Sequence, residues 1–414
     1  MDLTYGPDYE RFREEVRAFL VEHWRPSAGS RPAGAGRAEG SADSGDVALF
    51  RQAAVAAGYL YRSVPRQYGG SEQPPDALKA RVIKEEFEAV RAPMELRSLG
   101  TRLLVPTLLE AGAPWQKERF IEPTITGRIT WCQGYSEPEA GSDLASLRTT
   151  ATLVKGDGEA GGRWVIRGQK VWTSSAHEAD YMFLLARTNP DAPKRKGISY
   201  LLVPMDQPGI EVRPLRQVTG ESEFNEVFLT DATTGADWIV GEPGEGWAVA
   251  NTTLKHERAW VGDVSESDRL MNSLIRLARQ TPGPAGRPWI EDQRMRSRLM
   301  EVQGYVEAQR YSGYLQLSRS LKDEPSGPLG LINKISSTNI AERIAAIAID
   351  ILGDASLLPH TGARPGAAIG PERWMYQYFG SLGSAIAGGA SNIQRNIIAQ
   401  RGLGLPRDTV LPGE

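Results

Sequence analysis

Leu147-Arg148-Thr149-Thr150-Ala151-Thr152-Leu153-Val154, followed by Gly156-Asp157-Gly158-Glu159-Ala160-Gly161 and Arg163-Trp164-Val165-Ile166, is the stretch whose reading decides the fold. Its middle carries the glycine spacing of a dinucleotide-binding turn. Such a turn must open directly into a helix, whose free N–H groups then meet the phosphates. Here a β-branched and aromatic run follows, and another precedes. Two strands around a glycine-rich connection make a hairpin, so no doubly wound nucleotide domain is expected.

Outward from the hairpin the same period continues. Tyr181 to Arg187, Ile198 to Pro204 and Asn225 to Thr230 are further short β-rich runs, punctuated by Gly, Asp, Asn and Pro. With Trp164 to Trp172 they predict a central antiparallel β-domain over 128–240. The flanks change to helical spacing. Before it, over 1–127, Phe12, Val16, Phe19 and Leu20 mark a helix, and patterning resumes near Val47 and from Pro75 to Val90. After it, over 241–414, Met295, Leu299, Val302 and Val306 form one stripe and Ile340, Ile344, Ile347 and Ile351 another. Pro26 to Asp46 has no aromatic and no large aliphatic residue, which predicts a mobile surface loop. The expected order is helix, β, helix.

Composition narrows the functions. The 414 residues carry 48 Lys+Arg against 51 Asp+Glu, a net charge of −3 that argues against a broad nucleic-acid-binding face. One cysteine, Cys132, excludes an internal disulfide and suits a reducing compartment. With four histidines besides, thiolate zinc and iron–sulfur sites are out, and no spacing proposes another metal. Met1-Asp2-Leu3-Thr4-Tyr5 lacks a signal peptide's pattern, and the most apolar run, Ile344 to Leu352, is too short to span a membrane and is broken by Asp350. A soluble, cytoplasmic protein is expected.

Two motifs carry the chemistry. Trp131-Cys132-Gln133-Gly134-Tyr135-Ser136-Glu137-Pro138-Glu139-Ala140-Gly141-Ser142-Asp143 is followed by Gly168-Gln169-Lys170-Val171-Trp172-Thr173-Ser174-Ser175. With Phe224-Asn225-Glu226-Val227, Gly246-Trp247 and Ser391-Asn392-Ile393-Gln394-Arg395, in that order, the sequence resembles the acyl-CoA dehydrogenase flavoproteins along nearly its whole length. The resemblance implies a helical N-terminal domain, a central antiparallel β-domain and a C-terminal four-helix bundle, with FAD as cofactor and a tetrameric assembly. It implies flavin contacts at Gln133, Tyr135 and Ser136, with Trp172 flanking the ring and Ser174 donating toward it. Ser142 falls where relatives contact acyl-CoA and the FAD phosphates. Taken alone, Trp172 reads as a buried strand aromatic and the serines as turn residues.

The family's reaction removes an α proton and a β hydride from an acyl-CoA or carrier-bound acyl thioester, and an electron-transfer flavoprotein or similar acceptor takes the electrons. Abstracting a weakly acidic proton needs a desolvated carboxylate of raised pKa. Many relatives place it in a Tyr-Glu-Gly-Thr segment, which here reads Ala387-Gly388-Gly389-Ala390, and no carboxylate lies between Phe379 and Arg407. A minority, including isovaleryl-CoA and long-chain dehydrogenases, carry it in a Glu-Arg step on a bundle helix. Lys255-His256-Glu257-Arg258 stands at that place, which makes Glu257 the candidate base and Arg258 a candidate CoA contact, with His256 a packing residue. As residues alone, Glu257 and Arg258 read as solvated helix charges.

The Arg-x-x-Phe-Gly motif that meets a neighbouring subunit's FAD has only Arg287 as a loose substitute. The glycine loop is reduced to Gly353-Asp354-Ala355-Ser356, and Ala390 replaces a threonine. A FAD diphosphate still needs cationic or N–H partners. Homotetramer and heterotetramer therefore both stand, as do two other functions: a non-catalytic partner subunit, and a flavin monooxygenase or oxidase on the same fold.

Overall fold

A computed structural model describes residues 5–25, 45–156, 161–260, 264–322, 324, 327–357 and 371–406, with side chains omitted at 257–260, 320, 371 and 372. The expected loop at Pro26–Asp46 lies almost wholly outside these residues. Among the described residues the chain divides into two compact units, one running to His256 without Val218–Gly220 and the other made of those three residues and Glu257 onward.

The first unit opens with helices α1 (Pro7–His23), α2 (Gly45–Ala56), α3 (Ala77–Ala89), α4 (Val105–Ala111) and α5 (Pro114–Ile125). The 3–4 spacing read in α1 is its buried face: Val16, Phe19 and Leu20 enter the core. Asp76 caps α3 by accepting from the Lys79 N–H at 2.9 Å, satisfying one of the donors a helix start leaves free.

Eight strands follow: β1 (Trp131–Gly134), β2 (Thr150–Val154), β3 (Arg163–Ser174), β4 (Tyr181–Arg187), β5 (Ile198–Pro204), β6 (Ile210–Pro214), β7 (Phe224–Gly235) and β8 (Ile239–Val240). They form one sheet in the order β6-β7-β3-β2-β4-β5-β8, with β1 also on β4. The deciding stretch is a hairpin: β2 and β3 pair antiparallel with Val154 opposite Arg163, although residues 157–160 of its connection lie outside those described. β4 and β5 match the predicted bounds end to end, because each is a run buried at every interior position with no competing helical period.

The sheet departs from purely antiparallel pairing at one edge of β4. There β1 pairs parallel over Trp131–Gly134, and β2 takes over, also parallel, at Arg187. The chain must leave the sheet between them, and the segment that leaves begins with the rest of the first motif, from Tyr135 on. Gly134 permits the turn-off, since a Cβ there would lie 2.3 Å from Met182 Sδ. Cys132 is fully buried on β1 and burial pushes its thiol far up, as befits an inert apolar strand residue.

Helix α6 (Gly246–Trp260) begins against β5, and Gly246 allows it: a Cβ would lie 2.3 Å from the Ser199 carbonyl carbon. In the second unit α7 (Val264–Gln280), α8 (Gln293–Ser320), α9 (Leu329–Leu352) and α10 (Pro371–Ser384) share one core. Both predicted stripes, Met295–Val306 and Ile340–Ile351, supply it together with Leu270, Leu274 and Trp374. A short α11 (Ser391–Ile397) follows. Among the described residues no helix is long and apolar enough to cross a membrane, and no cluster of three or more His, Cys, Asp or Glu could hold a metal ion.

Candidate functional site

The second motif lies on β3, whose alternation puts Trp164, Ile166 and Lys170 on the core side. Between Lys170 and Thr173 the register against β7 slips: Lys170 faces Val227 and Thr173 faces Asn225, so three steps on β3 match two on β7. This β-bulge re-aims the strand. Lys170 and Val171 are buried in succession, Trp172 is turned outward and Thr173 is buried again. Trp172 pays for the bulge with φ 59°, a left-handed conformation that costs a non-glycine residue roughly 1–2 kcal/mol.

Two devices hold the strain. The Val171 N–H, released from the ladder, donates to the Ser136 carbonyl at 3.0 Å and so ties the two motifs together. Asn225, fully buried on β7, donates to the Thr173 and Glu223 carbonyls, each at 2.9 Å, while its Oδ1 faces His177 Nδ1 at 3.2 Å. The outcome is an exposed indole, 61% accessible, supported edge-on by Phe224 at 5.9 Å. The buried-aromatic reading of Trp172 is therefore overturned.

Ser136 and Ser174 are half-buried beside this bulge, and among the described residues neither hydroxyl is spent on a hydrogen bond, nor is the Ser136 N–H. Hydroxyl and N–H donors beside an outward aromatic face fit the polar edge and flat surface of a flavin ring. Gln133 is half-buried on β1. Tyr135 points the other way: it is buried in the first unit's core, at right angles to Phe183 and Tyr200, so it can meet a ring only through its backbone.

Ser142 is exposed in the excursion from Glu137 to Thr149. That excursion is closed by Glu137, whose Oε2 accepts the Arg148 N–H at 2.6 Å and whose Oε1 accepts the Thr149 N–H at 2.9 Å. Neighbouring Asp143 is held by Lys194 at 2.7 Å.

Lys170 and Glu137 went without a role in the sequence reading. The ammonium, with no exposed surface, lies 2.8 Å from Glu137 Oε1 and 3.1 Å from the Tyr135 carbonyl. Burial, partly offset by Glu137, brings it down to about 8. Desolvation of Glu137 is outweighed by the Lys170 charge and by its hydrogen-bond donors, and its carboxyl sits below the usual range. The signal was present: a lysine on the inward phase of a strand calls for a buried anion.

The candidate base and its neighbour, Glu257 and Arg258, fall on α6, but their side chains lie outside the described residues. One residue earlier His256 meets Glu110 of α4 at 2.6 Å, one helical turn from a buried contact between Thr253 and Thr107 hydroxyls at 2.9 Å. His256 thus spends its ring on a polar contact between α6 and α4. At the other possible base position, Gly388 and Gly389 both have left-handed φ, 62° and 96°, where a glutamate would be strained.

Comparison with known proteins gives three consecutive matches. The acyl-CoA dehydrogenase N-terminal domain matches residues 6–128, the middle domain 132–232 and the C-terminal domain 244–403. The chain is 39% identical to acyl-CoA dehydrogenase IpdE1 of Mycolicibacterium smegmatis, over 97% of this chain and 99% of the relative. It is 36% identical to IpdE1 of Mycobacterium tuberculosis, with the same coverage. Among solved structures it is similar to the ChsE4-ChsE5 complex of Mycobacterium tuberculosis, with TM-score 0.74, 27% identity, and 98% and 100% of the two chains covered. The Tcur3481-Tcur3483 steroid ACAD also superposes with TM-score 0.74, at 28% identity over 99% and 100% of the chains.

Proposed function

The chain belongs to the acyl-CoA dehydrogenase family, and from that premise we propose how its residues carry out α,β-dehydrogenation of an acyl-CoA thioester and which acyl group they receive. The supporting observation is the bulge of β3, which turns Trp172 outward between the unspent donors of Ser136 and Ser174. FAD fits that face. When bound, it supplies the acceptor for the β hydride.

Gln133, Tyr135, Ser136, Ser142, Trp172 and Ser174 would hold it, the serines through hydroxyl and N–H donors and Trp172 through its ring. Glu257 removes the α proton at its carboxylate, with Arg258 toward the CoA. Holding the carboxylate away from water raises its affinity for that proton, and donors aimed at the thioester oxygen offset the charge that develops there. Three domains are proposed, at 1–127, 128–240 and 241–414, in a cytoplasmic enzyme that hands its electrons to an electron-transfer flavoprotein.

The similar proteins described as a steroid ACAD and as a two-component complex support a polycyclic, steroid-derived acyl group and a heterotetramer. A related second chain would then lend the FAD diphosphate the contacts that Arg287 and Ala390 do not clearly supply. A panel of acyl-CoA thioesters, steroid-derived and straight-chain, is added anaerobically to the protein purified alone and with a co-expressed partner. Bleaching of the flavin by the steroid thioester is expected, and Glu257→Gln should slow it at least about thousandfold. Undiminished bleaching by that variant overturns the assigned base. A second reading, a non-catalytic partner subunit, is favoured by the left-handed glycines at 388 and 389. It requires that Glu257→Gln in the assembled complex have no effect.

A further inference from the structure

We propose that Lys170 is a positioning residue for the flavin face: its one buried ammonium couples the two backbone segments that meet the ring, setting Ser136 against the Val171–Trp172 bulge. The inference rests on the FAD site proposed above, and it concerns a residue that does not itself touch the cofactor.

The geometry has three parts. Lys170 is the last residue of β3 in register before the bulge, two positions from Trp172, so its backbone anchors one segment. Its Nζ reaches across to the other segment and grips it twice, at the Tyr135 carbonyl (3.1 Å) and the Glu137 carboxylate (2.8 Å), on either side of Ser136. Glu137 passes the constraint on through Arg148 and Thr149 N–H, fixing both ends of the excursion that carries Ser142. The Val171 N–H to Ser136 carbonyl bond completes a closed frame.

Stability alone does not account for such a pair. Burying two charges costs about as much as their attraction returns, and an apolar pair of the same volume is often neutral or better. What an apolar pair lacks is direction. Hydrogen bonds from one ammonium fix the carbonyl plane at Tyr135, and with it the heading of the next N–H, that of Ser136. Without them the motif can still pack but can tilt by the fraction of an ångström that hydrogen bonds to a ring register.

The test uses purified, FAD-loaded protein, co-expressed with its partner if assembly demands it. Lys170→Met keeps the stem and removes the ammonium. Lys170→Met/Glu137→Gln removes both charges, so that no unpaired carboxylate threatens folding. FAD release after dilution is followed by flavin fluorescence, together with the visible flavin band and the flavin midpoint potential. We expect release to be roughly tenfold to hundredfold faster in both variants, with a shifted band and potential, while the double variant melts near the wild-type temperature. Wild-type release and an unchanged band in the folded double variant overturn the proposal, as does a lowered melting temperature with both readouts unmoved. A wild-type protein that never retains FAD overturns the reading beneath it as well.

Discussion

An ammonium with no exposed surface, on the core side of a strand, is held charged only by what surrounds it. Lys170 has one carboxylate and one carbonyl for that purpose, and its proton is held at about 8 in the fold against 10.5 ordinarily. Between those two values the unfolded chain keeps a proton that the folded chain releases, so this group makes stability rise with pH across that window. The full span corresponds to about 3 kcal/mol. Urea-unfolding midpoints of wild type and Lys170→Met at pH 7.5 and 9.5 should show wild type gaining on the variant at the higher pH. Wild type losing ground to the variant, or keeping pace with it, would count against a buried, strained ammonium. The residue scale is also where the sequence was read least completely. Glu137 stood in the first quoted motif and Lys170 in the second, yet nothing in one strand's spacing names the residue across from it.

At the scale of elements, legibility followed burial. β4 and β5 came out with their observed ends, since runs buried at every interior position have no second phase to confuse. β1, β6 and β8 went unread: each has five residues or fewer, too short to establish a period. The bulge in β3 was invisible for another reason. It exists only against β7, as three steps matched to two. Docking of α1 on α3 was legible as an apolar stripe but not as the charge cluster that accompanies it. Glu86, 7% exposed, takes Arg13 Nη1 at 2.6 Å and Arg17 Nε at 2.7 Å, while Glu85 takes Arg13 Nη2 at 3.0 Å. Desolvation of Glu86 is outweighed by Arg17 and Arg13, and its carboxyl lies below the usual range. A depressed carboxyl contributes stability above the unfolded value, and that contribution is lost as pH falls through the folded one. Glu86→Gln should therefore cost about 2–3 kcal/mol at neutral pH, read as an earlier thermal transition. Its deficit should shrink as the pH is lowered below about 4.5. A deficit independent of pH would assign the loss to packing.

At the scale of the whole molecule, the second unit presents a surface that its own core does not explain. Met295, Leu299, Val302 and Val306 turn one side of α8 inward, as their spacing foretold. On another side Met300, Tyr311 and Leu315 are 66%, 53% and 45% exposed, and steps of 11 and 4 residues put them in one line along the helix. A row of large apolar groups on the exposed side of a helix is the mark of a surface meant to be covered. The family's usual tetramer offers the cover, either by copies of this chain or by the related second chain proposed above. Light scattering behind a sizing column should then report about four times the 45.3 kDa chain mass for the assembled protein. Leu315→Glu sets a charge at one end of that line without touching the α7–α10 core, and it should shift the mass to dimers or single chains while the far-ultraviolet dichroism stays unchanged. Full assembly of Leu315→Glu would place the interface on another face of the unit, and then the exposed row of α8 would have no part in bringing a second chain to the FAD diphosphate.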